Sequence, residues 1–124
     1  MPDITTKDDI ITLVDTFYGE AIKDKLIGKF FTEVVPLNFE AHMPTMYAFW
    51  EGILLNGNEY RGNPMVKHMA LHQKELIKPS HFKQWLYLWH NTIDKLFEGP
   101  KANEAKQKAQ QIAGLMEMKI GLMG

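Results

Sequence analysis

Ile10-Ile11-Thr12-Leu13-Val14-Asp15-Thr16-Phe17-Tyr18-Gly19-Glu20-Ala21-Ile22 is the stretch from which the fold can be read. Ile10, Ile11, Val14, Phe17, Tyr18, Ala21 and Ile22 recur three and four residues apart, which lines one face of a helix and leaves the other to polar side chains. A strand would alternate every second residue, and this stretch does not. Thr6 and Asp9 stand ahead of it at capping-box spacing, with Asp in place of the usual Glu. Gly28 and the Lys23-Asp24-Lys25 cluster put the end of the helix near Lys25, and a short helical turn is expected to carry Phe30 and Phe31.

The period recurs along the chain. A second helix is expected from His42 to Leu55, with Met43, Met46, Tyr47, Trp50, Ile53 and Leu54 on its apolar face and Asn56-Gly57-Asn58 as its stop. Pro44 has no N–H to donate, so this helix either begins just before it or kinks there. Asn63 as cap and Pro64 as first helical residue open a short helix, Met65 to about His72, that puts His68 and His72 on one face. Pro79-Ser80 opens a longer helix with Ser80 as cap. Phe82, Trp85, Leu86, Trp89, Ile93, Leu96 and Phe97 are its buried stripe, and Gly99-Pro100 is its stop. A last helix runs from about Asn103 to Ile120, with Ala105, Ala109, Ile112, Ala113, Met116 and Ile120 inward. Its small Ala side chains allow close helix packing. The fold class is all-α, with connections too irregular for an up-down bundle.

At 124 residues the chain reads as one domain, 1–124. It holds no Cys, which removes disulfides, thiolate metal sites and thiol nucleophiles. Fourteen Lys and Arg against 15 Asp and Glu give a net charge of −1, so nucleic acid is not an expected partner. Residues Met1 to Asp9 are acidic and polar, unlike a signal peptide, and no apolar run has bilayer-spanning length. A cytoplasmic protein with no membrane partner is expected. Eight Met, 7 Phe, 4 Tyr, 3 Trp and 5 His supply material for a lined pocket.

Candidate chemistry starts with His68. Beside Met65, Met69 and Leu71 it is either a partly buried His satisfied by a carbonyl or a metal ligand through neutral imidazole. His68 and His72 could form a zinc pair, but the five residues His68-Met-Ala-Leu-His72 lack the Glu of HExxH and no third ligand is evident. Tyr18 on its apolar stripe reads as an interfacial Tyr whose hydroxyl reaches water. Trp85 reads as a core Trp with one hydrogen bond, and His42 as a solvated residue at a helix start. Arg61, the single Arg, suits bidentate carboxylate recognition or a plain surface position. No nucleophile triad, phosphate loop or paired-carboxylate signature is present.

Four blocks taken together resemble the group III truncated haemoglobins. Ile10 to Tyr18, followed by Gly28-Lys-Phe-Phe31, resembles the opening of that family. His42-Met-Pro-Thr-Met-Tyr-Ala-Phe-Trp50 resembles its distal helix, Tyr60-Arg-Gly-Asn-Pro-Met-Val-Lys-His68 its proximal segment, and His81-Phe-Lys-Gln-Trp85-Leu the helix after it. The blocks occur in family order from about Asp9 to Ile120. The chain has no Gly-Gly pair, in line with the loss of the double-glycine loops of the other groups.

The resemblance implies a shortened globin, a two-over-two helical sandwich around haem b. It makes His68 the proximal iron ligand, Tyr18 and Trp85 distal hydrogen-bond donors, and His42 a distal residue that bonds the ligand, gates the pocket or binds iron. It places Phe31 and Trp50 at the haem and its supporting core, and Arg61 and Lys67 at the propionates. The implied ligands are O2, NO, CO or peroxide. Two donors would slow O2 release, which suits redox chemistry such as NO detoxification or peroxide turnover, with an unidentified reductase as partner and a monomer as the expected state. The contrasting expectation is a helical module without haem, acting through protein contacts or a His-bound metal.

Overall fold

The computed structural model describes residues 1–34, 38–56 and 77–122, with side chains to residue 120. Among the described residues four long helices carry the fold: α1 (Lys7–Ala21), α2 (Phe39–Leu54), α3 (Pro79–Leu96) and α4 (Pro100–Leu122). A π-helical turn, Phe30–Val34, lies between α1 and α2. There is no strand among the described residues. The expected helix Met65 to His72, and with it His68, His72, Arg61 and Lys67, lies outside the described residues.

The cap of α1 forms as its sequence requires. Thr6 Oγ1 accepts from the Asp9 N–H, and the Asp9 carboxylate accepts from the Thr6 N–H at 3.0 Å. The buried face is Ile10, Leu13, Val14, Phe17 and Ala21. Leu13 therefore belongs to the stripe, while Ile22, expected within it, is exposed. The helix also stops at Ala21, four residues before the expected end. Asp24 takes over there: one carboxylate oxygen accepts from Leu26 N–H and Ile27 N–H, and the other from the Gln84 amide on α3 at 2.8 Å. Such a side-chain turn competes with continued helix. Gly28 sits where the chain recrosses its own path, and an added Cβ would lie 2.7 Å from the Ile22 carbonyl oxygen. This sharp return brings Phe31 back against Tyr18 of α1 and Phe30 against His81.

α2 begins at Phe39, not at His42. The Asn38 carbonyl accepts from the N–H groups of Ala41 and His42 at 3.1 and 2.8 Å, so the first turn is complete before Pro44. Pro44 thus lies inside the helix, and the carbonyl of Glu40 lacks its usual N–H partner there. At the far end Asn56 takes φ 61°, the left-handed conformation that ends a helix.

Lys78, not Ser80, is the N-cap of α3, with Pro79 as first helical residue. Buried His81 does the work expected of a capping side chain, its Nδ1 accepting from the Lys78 N–H at 2.9 Å. α4 starts at Pro100, three residues before the expected start. Its cap comes from the other end of the chain: the Asp3 carboxylate accepts from the N–H groups of Lys101 and Ala102 at 2.9 and 2.8 Å.

α1 packs on both α2 and α3, α3 packs on α4, and α2 touches α4. The inward faces meet in one core that includes Phe17, Trp50, Trp89 and Ile93, with Ala102, Ala105, Ala109 and Ala113 letting α4 approach. Trp89 is buried against that Ala face and donates its indole N–H to the Ala105 carbonyl at 3.1 Å.

Candidate functional site

The early start of α2 decides the site. Because the helix is already formed at His42, that imidazole is a half-buried helical side chain directed at α1 rather than a solvated residue at a helix start. His42 Nε2 lies 3.0 Å from the Tyr18 hydroxyl. The two rings meet edge to face with centroids 5.3 Å apart. Phe31 from the π-helical turn stands 5.6 Å from Tyr18, and Phe39 from the first turn of α2 stands 6.3 Å from it. Phe39 was not singled out in the sequence, although an aromatic residue three positions before His42 shares its helix face.

Two polar groups are thus set in an aromatic wall. Burial of the hydroxyl end pushes the Tyr18 phenol well above the usual tyrosine value, so it stays protonated and able to donate. The Tyr18 ring itself remains partly open. Phe17, the preceding residue, faces the core and meets both Tyr18 and Trp85 edge to face, at 5.2 and 6.0 Å.

Trp85 is half-buried, and among the described residues its indole N–H donates to no acceptor. The core Trp with a hydrogen bond is instead Trp89, one turn on. Trp50 is buried and stacks on Trp89, centroids 4.5 Å apart and planes 25° apart. Of the expected site residues, Tyr18, His42 and Phe31 are in direct ring contact, and Trp85 and Trp50 join them through Phe17 and Trp89. Among the described residues no three His, Asp or Glu side chains converge as a metal site.

Large apolar side chains of the turn, α2 and α3, among them Phe31, Met43, Met46, Phe49, Ile53 and Trp85, pack on the core and stay partly exposed. That is the arrangement a flat apolar cofactor needs: π faces and thioethers to cover its rings, and a Tyr–His pair for a ligand.

A shortened all-helical chain with a Tyr–His pair between its first two helices is a globin by architecture. The sequence profile of the bacterial-like globins matches residues 3–118, and the chain belongs to that family. It is 29% identical over 110 residues to the group 3 truncated hemoglobin ctb of Campylobacter jejuni, which covers 86% of this chain and 84% of that relative. The crystal structure of a group III truncated hemoglobin from Campylobacter jejuni superposes with a TM-score of 0.84 at 26% identity, covering 97% of this chain and 95% of that one. The all-α, shortened-globin reading of the fold therefore stands. Membership implies haem binding and small gas ligands such as O2. No helix among the described residues is long and apolar enough to cross a membrane.

Proposed function

We propose that the whole chain acts as one haem b domain that binds O2, NO, CO or peroxide and performs redox chemistry on the ligand, such as NO detoxification or peroxide turnover. The observation that carries this reading is the Tyr18–His42 pair, a 3.0 Å polar contact inside an aromatic wall. When bound, haem with a single protein ligand offers one open coordination position to such molecules.

Tyr18 is the donor to the ligand. Its phenol stays neutral because burial opposes ionisation. His42 is a positioning residue: with the proton on Nε2 it donates to the Tyr18 oxygen, which leaves the phenolic O–H free to point into the pocket. Trp85, with an indole N–H unclaimed by the described residues, is the second donor. Phe31 covers the cofactor face, and Trp50 backs the pocket through its stack on Trp89. His68 would hold the haem iron, and Arg61 and Lys67 would meet its propionates. The protein works in the cytoplasm as a monomer, with a reductase as electron source and nitrosative stress as its setting.

Visible spectroscopy of protein expressed with ample haem tests the reading. A Soret band that is lost in His68→Ala is expected, and a colourless protein would overturn it in favour of a haem-free helical module. Steady-state consumption of NO and of peroxide by the coloured protein then separates the two reactions.

A further inference from the structure

We propose that Trp85, Trp89, Trp50 and Tyr47 form a relay that carries oxidising equivalents from the ligand pocket to the protein surface, ending at Tyr47 with Asp15 as its proton acceptor. The proposal rests on the haem reading above and adds an exit route to it.

Trp and Tyr side chains give up an electron more readily than other aromatic side chains, and the three indoles are stacked in series. Trp85 and Trp89 lie 6.2 Å apart with planes 2° from parallel. Trp89 to Trp50 is 4.5 Å, across the α3–α2 contact. Trp50 and Tyr47 are three residues apart on α2, a spacing that brings Cβ atoms to about 5–6 Å, so the last step runs between neighbouring side chains of one helix rather than between stacked rings. Trp85 is the half-open end, Trp89 and Trp50 are buried, and Tyr47 is half-exposed. Burial matters, because it shields the middle of the route from water and solutes. The Trp89 N–H is held by the Ala105 carbonyl, whose negative end favours transient positive charge on the indole.

The surface end is equipped for proton transfer. The Tyr47 hydroxyl donates to the exposed Asp15 carboxylate on α1. Partial burial, then the Asp15 hydrogen bond and charge, push the Tyr47 phenol up to about 12, so it loses an electron as the neutral phenol and must shed a proton in the same event.

Hydrogen peroxide is the oxidant; bound haem would supply the chemistry that takes it up, and Trp85 gives the first electron. Trp89 restores Trp85, and Trp50 restores Trp89. Tyr47 restores Trp50 while its phenolic proton passes to Asp15, which leaves a neutral tyrosyl radical. A one-electron reductant of the phenol or enediol class returns the electron at the surface, and Asp15 returns the proton. Two passages, with two protons from solvent, reduce one hydrogen peroxide to two waters.

The test is rapid-freeze EPR of the haem-loaded protein mixed with hydrogen peroxide, together with a nitroso spin trap located by peptide mass spectrometry. The trap is expected on Tyr47. Trp50→Phe should lower that label several-fold and leave the radical on Trp85 or Trp89. Asp15→Asn should lower it as well, with Asp15→Glu restoring it; this surface pair carries the test if Trp50→Phe does not fold. An unlabelled Tyr47 in haem-bound wild type, or a label indifferent to both Trp50→Phe and Asp15→Asn, overturns the relay alone. A protein that takes up no haem overturns the function reading and the relay with it.

Discussion

At the scale of the residue, the site turns on one proton. His42 and Tyr18 share one hydrogen bond, and only the Nε2–H tautomer leaves the Tyr18 hydroxyl free for a ligand. A hydrogen bond of this kind is worth about 0.5–1.5 kcal/mol, and each 1.4 kcal/mol is a factor of about ten. Tyr18→Phe is therefore expected to speed O2 dissociation by several-fold to about tenfold in stopped-flow measurements; an unchanged rate would remove Tyr18 from the ligand. His42→Ala should speed it less, because the donor remains and only its aim is loosened. The double variant should then resemble Tyr18→Phe, since the two residues act as a unit; fully multiplicative effects would mean that His42 meets the ligand by itself. Tyr18 was legible as a residue on the inner stripe of α1, and His42 as a residue before a Met-rich helix. Their partnership was not legible from spacing, because 24 residues separate them and the helix start that aims His42 depends on Asn38. Only the family pattern linked the two.

At the scale of the element, helix bodies were legible and helix edges were not. Periodicity reports which residues meet the core, so α1, α2, α3 and α4 all emerged from it. Edges are set by whichever group satisfies the orphan N–H groups, and that group can be far away in sequence. Asp3 is the clearest case. It caps α4 across almost the whole chain, and Glu98 N–H closes the same clasp on the Pro2 carbonyl at 3.0 Å. Gly99 is required at the crossing: its φ is +144°, and a Cβ there would lie 2.6 Å from Asp3 Cγ. Asp3→Ala should cost about 0.5–2 kcal/mol, as for other lost caps. Gly99→Ala should cost about 1–3 kcal/mol through backbone strain, on top of displacing Asp3. Urea unfolding midpoints check both. Combining the two should cost less than their sum, because Gly99→Ala already pushes Asp3 off its N–H groups; strict additivity would show that the clasp is not one unit.

At the scale of the molecule, the same ionisable groups that tie the helices together set the pH range of the fold. On the acid side stand Asp3, Asp9 and Asp24. Burial alone would raise the Asp3 and Asp24 carboxyls, but the N–H groups of Lys101 and Ala102 outweigh it for Asp3, and those of Ile27 and Leu26 with the Gln84 amide do so for Asp24. For Asp9 the N–H groups of Thr5 and Thr6 lead, and they hold its carboxyl down against burial. All three are lowered in the fold, so their stabilisation is complete above the unfolded Asp value near 3.9 and is lost as pH falls below it. The alkaline side belongs to the phenols. Burial raises Tyr18, and burial with the Asp15 contact raises Tyr47 to about 12. The unfolded chain ionises near the ordinary tyrosine value of about 10 while the fold resists, so this stabilisation is whole below about pH 10 and declines above it. Urea midpoints measured against pH should form a plateau bounded by these two limits. Tyr47→Phe should soften the alkaline fall and leave the acid fall unchanged, because it removes one phenol and no carboxylate. Asp3→Asn should do the reverse. If Tyr47→Phe leaves the alkaline limb intact, Tyr18 carries that limb alone, and the clip between Tyr47 and Asp15 contributes nothing to the joining of α1 and α2.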